Sequence, residues 1–152
     1  MNVQTLRPLA AEFVGTALFV FIGVGSVVAN AASGNALGAL GMALAHGVGL
    51  AIIVTMTMAI SGGHINPAVS VALWLAKKID SRTLGLYVVA QLVGAIVGAL
   101  LVKAFFPASA ARVTSLGTPQ LSGTLGLFDG IALEALMTFF LSAAHAAQLI
   151  DA

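Results

Sequence analysis

The chain has 152 residues and a formal net charge of +1; 60% of its residues are apolar and 7% charged, with a mean hydropathy of +1.09. A soluble domain carries about 25% charged residues, and so few charges could not cover the surface of a water-soluble fold of this size. The charge balance leaves no basic patch for nucleic acid, and the absence of cysteine leaves no disulfide framework and no thiolate metal site.

No Asp, Glu, Lys or Arg occurs from Phe13 to Ala76, enough chain for more than two membrane spans of roughly 20 residues each. The sequence therefore predicts a multi-pass integral membrane protein embedded in the lipid bilayer. Its N-terminus imitates a signal peptide, with Arg7, an apolar run and Ala29-Asn30-Ala31 as a small-x-small site. Glu12 inside that run, and the spans that follow, argue against removal.

A first span is predicted over Leu9–Ala31, followed by a polar turn through Asn30-Ala31-Ala32-Ser33-Gly34-Asn35. A second, uncharged span runs Ala36–Ile60 and contains His46. After Ser61-Gly62-Gly63-His64-Ile65-Asn66-Pro67-Ala68-Val69-Ser70 comes a short apolar segment to Ala76, then a charged connection with Lys77, Lys78, Asp80 and Arg82. A third span covers Leu84–Val102, with Gly94-x-x-x-Gly98 permitting close helix packing. Pro107–Gly126 reads as a polar loop rich in Gly, Pro, Ser and Thr. A fourth apolar segment, Gly130–Ile150, carries Glu134, His145 and Gln148. The expected fold is all-α, with four spans or near-spans and one re-entrant half-helix.

The half-helix follows from length and end chemistry. Pro67 to Leu75 would extend only about 13–14 Å at 1.5 Å per residue, nearly half of a ~30 Å hydrocarbon core. Asn66 is a strong N-cap, and Pro67 suits the first helical position, where its missing N–H costs nothing. The half-helix thus directs its positive dipole end at the bilayer centre. Ser61 to Ile65 would approach in extended form, with backbone carbonyls free to line a path, among them those of Gly62, Gly63, His64 and Ile65. Basic residues in short loops set orientation: Arg7, Lys77, Lys78 and Arg82 fall on one side, Lys103 and Arg112 on the other, which predicts a cytoplasmic N-terminus. No Ser-His-Asp set, phosphate loop or HExxH is present, so nothing points to an enzyme, a cofactor or a bound metal.

Ser61-Gly62-Gly63-His64-Ile65-Asn66-Pro67-Ala68-Val69 resembles the first signature loop of the aquaporin, or major intrinsic protein, family. Ala11-Glu12-Phe13-Val14-Gly15-Thr16 is similar to that family's first-span opening, Ala43-Leu44-Ala45-His46-Gly47 to its second span, and Gln91-Leu92-Val93-Gly94 to its third. Glu12 and Thr16 recur as Glu134 and Thr138, as expected of two halves with inverted topology. The resemblance implies a passive channel for water and small neutral solutes. Asn66, Pro67 and Ala68 would form the pore motif and Gly62 to Ile65 the acceptor ladder, with the His64 side chain bracing the loop. Glu12 and Glu134 would brace signature loops; the alternative for such carboxylates is a proton relay. His46 would stand at the narrow filter, where a His resembles tonoplast-type and some bacterial aquaporins. The inner cell membrane and a tetramer are the location and assembly that the resemblance implies.

The departures from the family pattern lie in the second half. A second Asn-Pro-Ala motif and the arginine that follows it are missing, and Val69 stands at the equivalent place in the first motif. The tail Ser142–Ala152, with His145, Gln148 and Asp151, departs from an ordinary fourth span. The expected organisation is a first repeat over 1–106, an inter-repeat loop over 107–129 and a truncated start of a second repeat over 130–152. Such a chain either conducts, pairs with a complementary half, or is a non-conducting subunit or fragment.

Overall fold

A computed structural model describes residues 3–121 and 123–150, with side chains up to position 147. The side chain of Gln148 and the whole of Asp151 lie outside the described residues. The helices are α1 (Val3–Ala32), α2 (Gly38–Ser61), α3 (Pro67–Leu75), α4 (Ser81–Phe105), α5 (Ala108–Val113) and α6 (Leu127–Ile150), with a 3-10 turn at Ser115–Gly117 between the last two. Among the described residues α1, α2, α4 and the Leu127–Ala147 stretch of α6 are long and apolar enough to cross a membrane.

The half-helix α3 spans the nine residues Pro67–Leu75, as its end signals predict. The boundaries of α1 and α4 and the start of α6 move outward, while α2 starts two residues later than expected. α1 begins at Val3 rather than Leu9, with Pro8 inside it; hydropathy locates the edge of the bilayer, whereas helical hydrogen bonding continues through polar interfacial residues. α4 gains a turn at its start because Asp80 caps it, its carboxylate accepting the Thr83 N–H at 2.6 Å. That bond holds the Asp80 carboxyl below its ordinary value of 3.8. α2 has no capping side chain of its own. Asn30, at the end of α1, supplies one: its Oδ1 accepts the N–H groups of Leu37 and Gly38 at 3.1 and 3.0 Å.

The segment read as a wholly polar loop, Pro107–Gly126, contains α5. Six residues are too few to show a helical period. Tertiary packing holds α5 instead: Ala110 and Ala111 are buried with Val28 of α1 and Val102 of α4, and Phe21, Phe106 and Leu116 pack around them.

α1 is the central element, packed on both α2 and α4, while α3 is the one helix that α6 packs on among the described residues. Two glycines of α4 set the α1–α4 distance. A Cβ at Gly94 would run into the Phe13 carbonyl, and one at Gly98 into the Ala17 carbonyl; only Gly lets the backbones approach so closely. The largest fully buried side chains include Glu12, Gln91 and Ser70, whereas Leu44, Val48, Ile52 and Met56 of α2 are exposed. Polar groups inside and apolar groups outside are what lipid as solvent selects.

Candidate functional site

The polar interior centres on Glu12, which is fully buried. Its Oε1 accepts the Ser61 hydroxyl at 2.6 Å and the His64 N–H at 3.0 Å. Its Oε2 accepts the Ile65 N–H and the Gln91 side-chain amide, both at 2.7 Å. Four donors converge on one carboxylate, which meets the requirement that a buried acid be fully hydrogen-bonded.

The loop these bonds hold is not the extended approach expected of Ser61 to Ile65: Ser61 closes α2, and the left-handed turn that follows is conformationally costly. Gly62 and Gly63 take φ of 85° and 61°, and Ile65 takes 54°. Glycine adopts such values freely; a β-branched Ile does so only when its surroundings over-determine it. Ile65 is 2% exposed. Its N–H is held by Glu12 and its carbonyl accepts the Thr16 hydroxyl at 3.2 Å, so both of its backbone polar groups are fixed.

Beyond the loop, the Asn66 Oδ1 accepts the Ala68 N–H at 2.8 Å, capping α3 with Pro67 in its first turn. Among the described residues the Asn66 amide nitrogen makes no hydrogen bond. Asn66, Pro67 and Ala68 are half-buried. A second ring of contacts surrounds them. Ser70 Oγ lies 2.9 Å from His64 Nδ1 and accepts the Gln91 amide at 2.9 Å. Tyr87 donates its hydroxyl to the Ser61 carbonyl at 2.9 Å, and its ring meets His64 edge-on at 5.0 Å.

Of the four carbonyls expected to form an acceptor ladder, two are engaged. Ile65 is bound by Thr16, and the Gly62 carbonyl lies 2.7 Å from His145 Nε2. A carbonyl only accepts, so that nitrogen carries the proton. The carbonyls of Gly63 and His64 are free among the described residues. The His145 ring, on α6, also meets the His64 ring at 5.8 Å.

The remaining predicted residues stand apart from this cluster. His46 is half-buried; its Nδ1 lies 2.8 Å from the Met42 carbonyl of its own helix, and its ring packs edge-on to Phe19 at 6.3 Å. The ring is seated over Gly23, where an added Cβ would come within 2.7 Å of Nε2. Glu134 is exposed and has no partner among the described residues. It lines an open apolar groove of about 900 Å³ between α3 and α6, together with Thr138 and Ser142. The buried Ser142 hydroxyl has no hydrogen-bond partner there.

Sequence reasoning did not assign roles to Gln91, Tyr87, Ser70 or His145. A signal existed for Gln91 and His145, since a strongly polar side chain inside a span needs a stated partner. Among the described residues no group of three or more His, Asp or Glu side chains converges on a metal-sized site.

The family model described as Major intrinsic protein matches residues 1–152. The chain is 41% identical to a probable aquaporin TIP2-2 of Oryza sativa subsp. japonica over 145 residues, covering 91% of this chain and 55% of that protein. It is 42% identical to aquaporin PIP2-5 of Zea mays over 146 residues, covering 89% of this chain and 51% of that protein. It is also 42% identical over 101 residues to the propanediol uptake facilitator PduF of Salmonella typhimurium, covering 66% of this chain and 38% of that protein. The chain thus spans about half the length of the curated relatives it matches.

Proposed function

The chain belongs to the major intrinsic protein family, a family of membrane channels and not of enzymes, and from that premise we propose that it forms one wall of a path for water and small neutral solutes. The observation that carries this reading is the division of labour at Asn66. Its oxygen is committed to capping α3, which leaves the amide nitrogen as a free donor on the same loop as the Gly63 and His64 carbonyls, which accept no hydrogen bond among the described residues. A donor next to a short row of acceptors orients a passing water, and the positive end of α3 opposes cations. Glu12 braces the loop that presents these groups. His46 forms part of the filter wall, with its unengaged Nε2 as the polar group offered there.

The first repeat occupies 1–106 and a second begins near 130, with the N-terminus cytoplasmic, in the cell membrane. A second reading, in which the chain is a non-conducting half that needs a complement, is favoured by the unpartnered Glu134 and Ser142 beside an open groove. The complement would be another copy in a tetramer or a separate half. Stopped-flow swelling of proteoliposomes separates the two readings. Faster swelling than empty vesicles, reduced by Asn66→Asp, supports a conducting chain. Rates equal to empty vesicles for the folded protein remove autonomous conduction and leave the half that needs a complement.

A further inference from the structure

We propose that the junction of α4 and α5 is a binding site for the headgroup of an anionic phospholipid. Lys103, in the last turn of α4, and Arg112, in the last turn of α5, line one cavity of about 360 Å³ together with Ala108, Ala111, Ser115 and Leu116. Both cations are exposed and neither has an ion-pair partner among the described residues. No Asp or Glu lines the cavity, and none occurs in the chain between Asp80 and Asp129, so its own segment supplies no counter-charge.

Depth argues for a lipid as the occupant. Lys103 sits at the end of a span, the level where long basic side chains meet headgroups. Phe105, two residues after Lys103, and Val113, next to Arg112, are 75% and 83% exposed, an apolar rim along the chain that is suited to acyl chains. The cavity floor is apolar through Ala111 and Leu116, and buried packing against Val28 and Val102 holds it in place. A phosphodiester fits both halves of this surface: its oxygens would take the Arg112 fork and the Lys103 ammonium, and its glycerol backbone would follow the apolar rim.

Native mass spectrometry of the detergent-purified full chain, titrated with phosphatidylglycerol or phosphatidylcholine, tests the site. Phosphatidylglycerol is expected to bind more tightly. Lys103→Gln with Arg112→Gln should weaken it roughly 30-fold, from about 1 kcal/mol per basic residue at an anionic surface. Lys103→Arg with Arg112→Lys should retain binding, and Lys77→Gln with Lys78→Gln, at the other end of the α4 span, should leave it unchanged. If the double Gln variant does not fold, each single Gln variant should weaken binding about fivefold. Unchanged affinity in the Gln variants overturns the proposal. So does an equal loss in the Lys77/Lys78 control, which would mark a diffuse charge effect, or equally tight binding of free glycerol phosphate, which would remove the lipid.

Discussion

Glu12 shows how much of this site depends on one charge. Its two oxygens face four donors, one each from α2 and α4 and two from the loop. Glu12→Gln would turn one oxygen into an N–H donor aimed at another donor. We expect a loss of about 2–3 kcal/mol, the size of a hydrogen bond to a charged group, read as a lower unfolding midpoint in detergent. Glu12→Asp, which keeps the charge on a shorter stem, should lose less. His145 makes a single hydrogen bond at the far side of the loop, so His145→Ala should cost about 1 kcal/mol. Applied to the channel reading, His145→Ala also frees the Gly62 carbonyl. A conducting chain should then swell vesicles no more slowly than before, and a slower rate would show that His145 holds the path open. The sequence pointed to Glu12 through its place in an apolar run, and the family resemblance to the loop amides it accepts from, but neither pointed to Ser61 or Gln91. Gln91 lies 79 positions away, and only the crossing of α1 with α2 and α4 brings these donors together.

The elements were legible where the chemistry of their ends is local. Asn66-Pro67 marks the start of α3 and length alone marks it as a half-helix, so its bounds need no tertiary information. The α5 helix had no such signal, because its stability comes from two alanines pressed into a core built by other helices. Helix contact is likewise written in single residues once the partner is known. Gly94→Ala and Gly98→Ala would each drive a methyl into a carbonyl of α1 that has no rotamer by which to move aside. Each should cost about 1–3 kcal/mol by overpacking, and a thermal melt of the purified protein checks this. Gly85→Ala, on the same helix with open space around it, serves as the control and should be neutral or slightly stabilising. The Asp80 cap has a pH signature. Its carboxyl is held below 3.8 in the folded chain, so its contribution is complete above that value and is lost as pH falls through the lower folded one. Asp80→Asn removes that dependence. The difference in unfolding midpoint between wild type and Asp80→Asn should be flat above pH 3.8 and shrink or reverse on acidification below it; a difference constant into the acid range would count against the cap.

At the scale of the whole molecule, the chain's two faces in the membrane differ in charge. Arg7, Lys77, Lys78 and Arg82 stand at one end of the helices, Lys103 and Arg112 at the other. The basic bias of short loops is the ground for proposing that the richer end faces the cytoplasm. The inverted resemblance between Glu12-x-x-x-Thr16 and Glu134-x-x-x-Thr138 makes this more than a labelling question. Two such halves, entering the bilayer from opposite sides, would place two half-helix ends head to head at the midplane. The absence of cysteine gives a clean test. Ala76→Cys, on the exposed cap of α3, and Ser109→Cys, on exposed α5, report opposite sides. In intact cells a membrane-impermeant maleimide should label Ser109→Cys and spare Ala76→Cys until the membrane is opened. Labelling of both in intact cells, at comparable extent, would mean a mixed population in the bilayer. Opposed α3 half-helices from two copies of the chain would then become geometrically available.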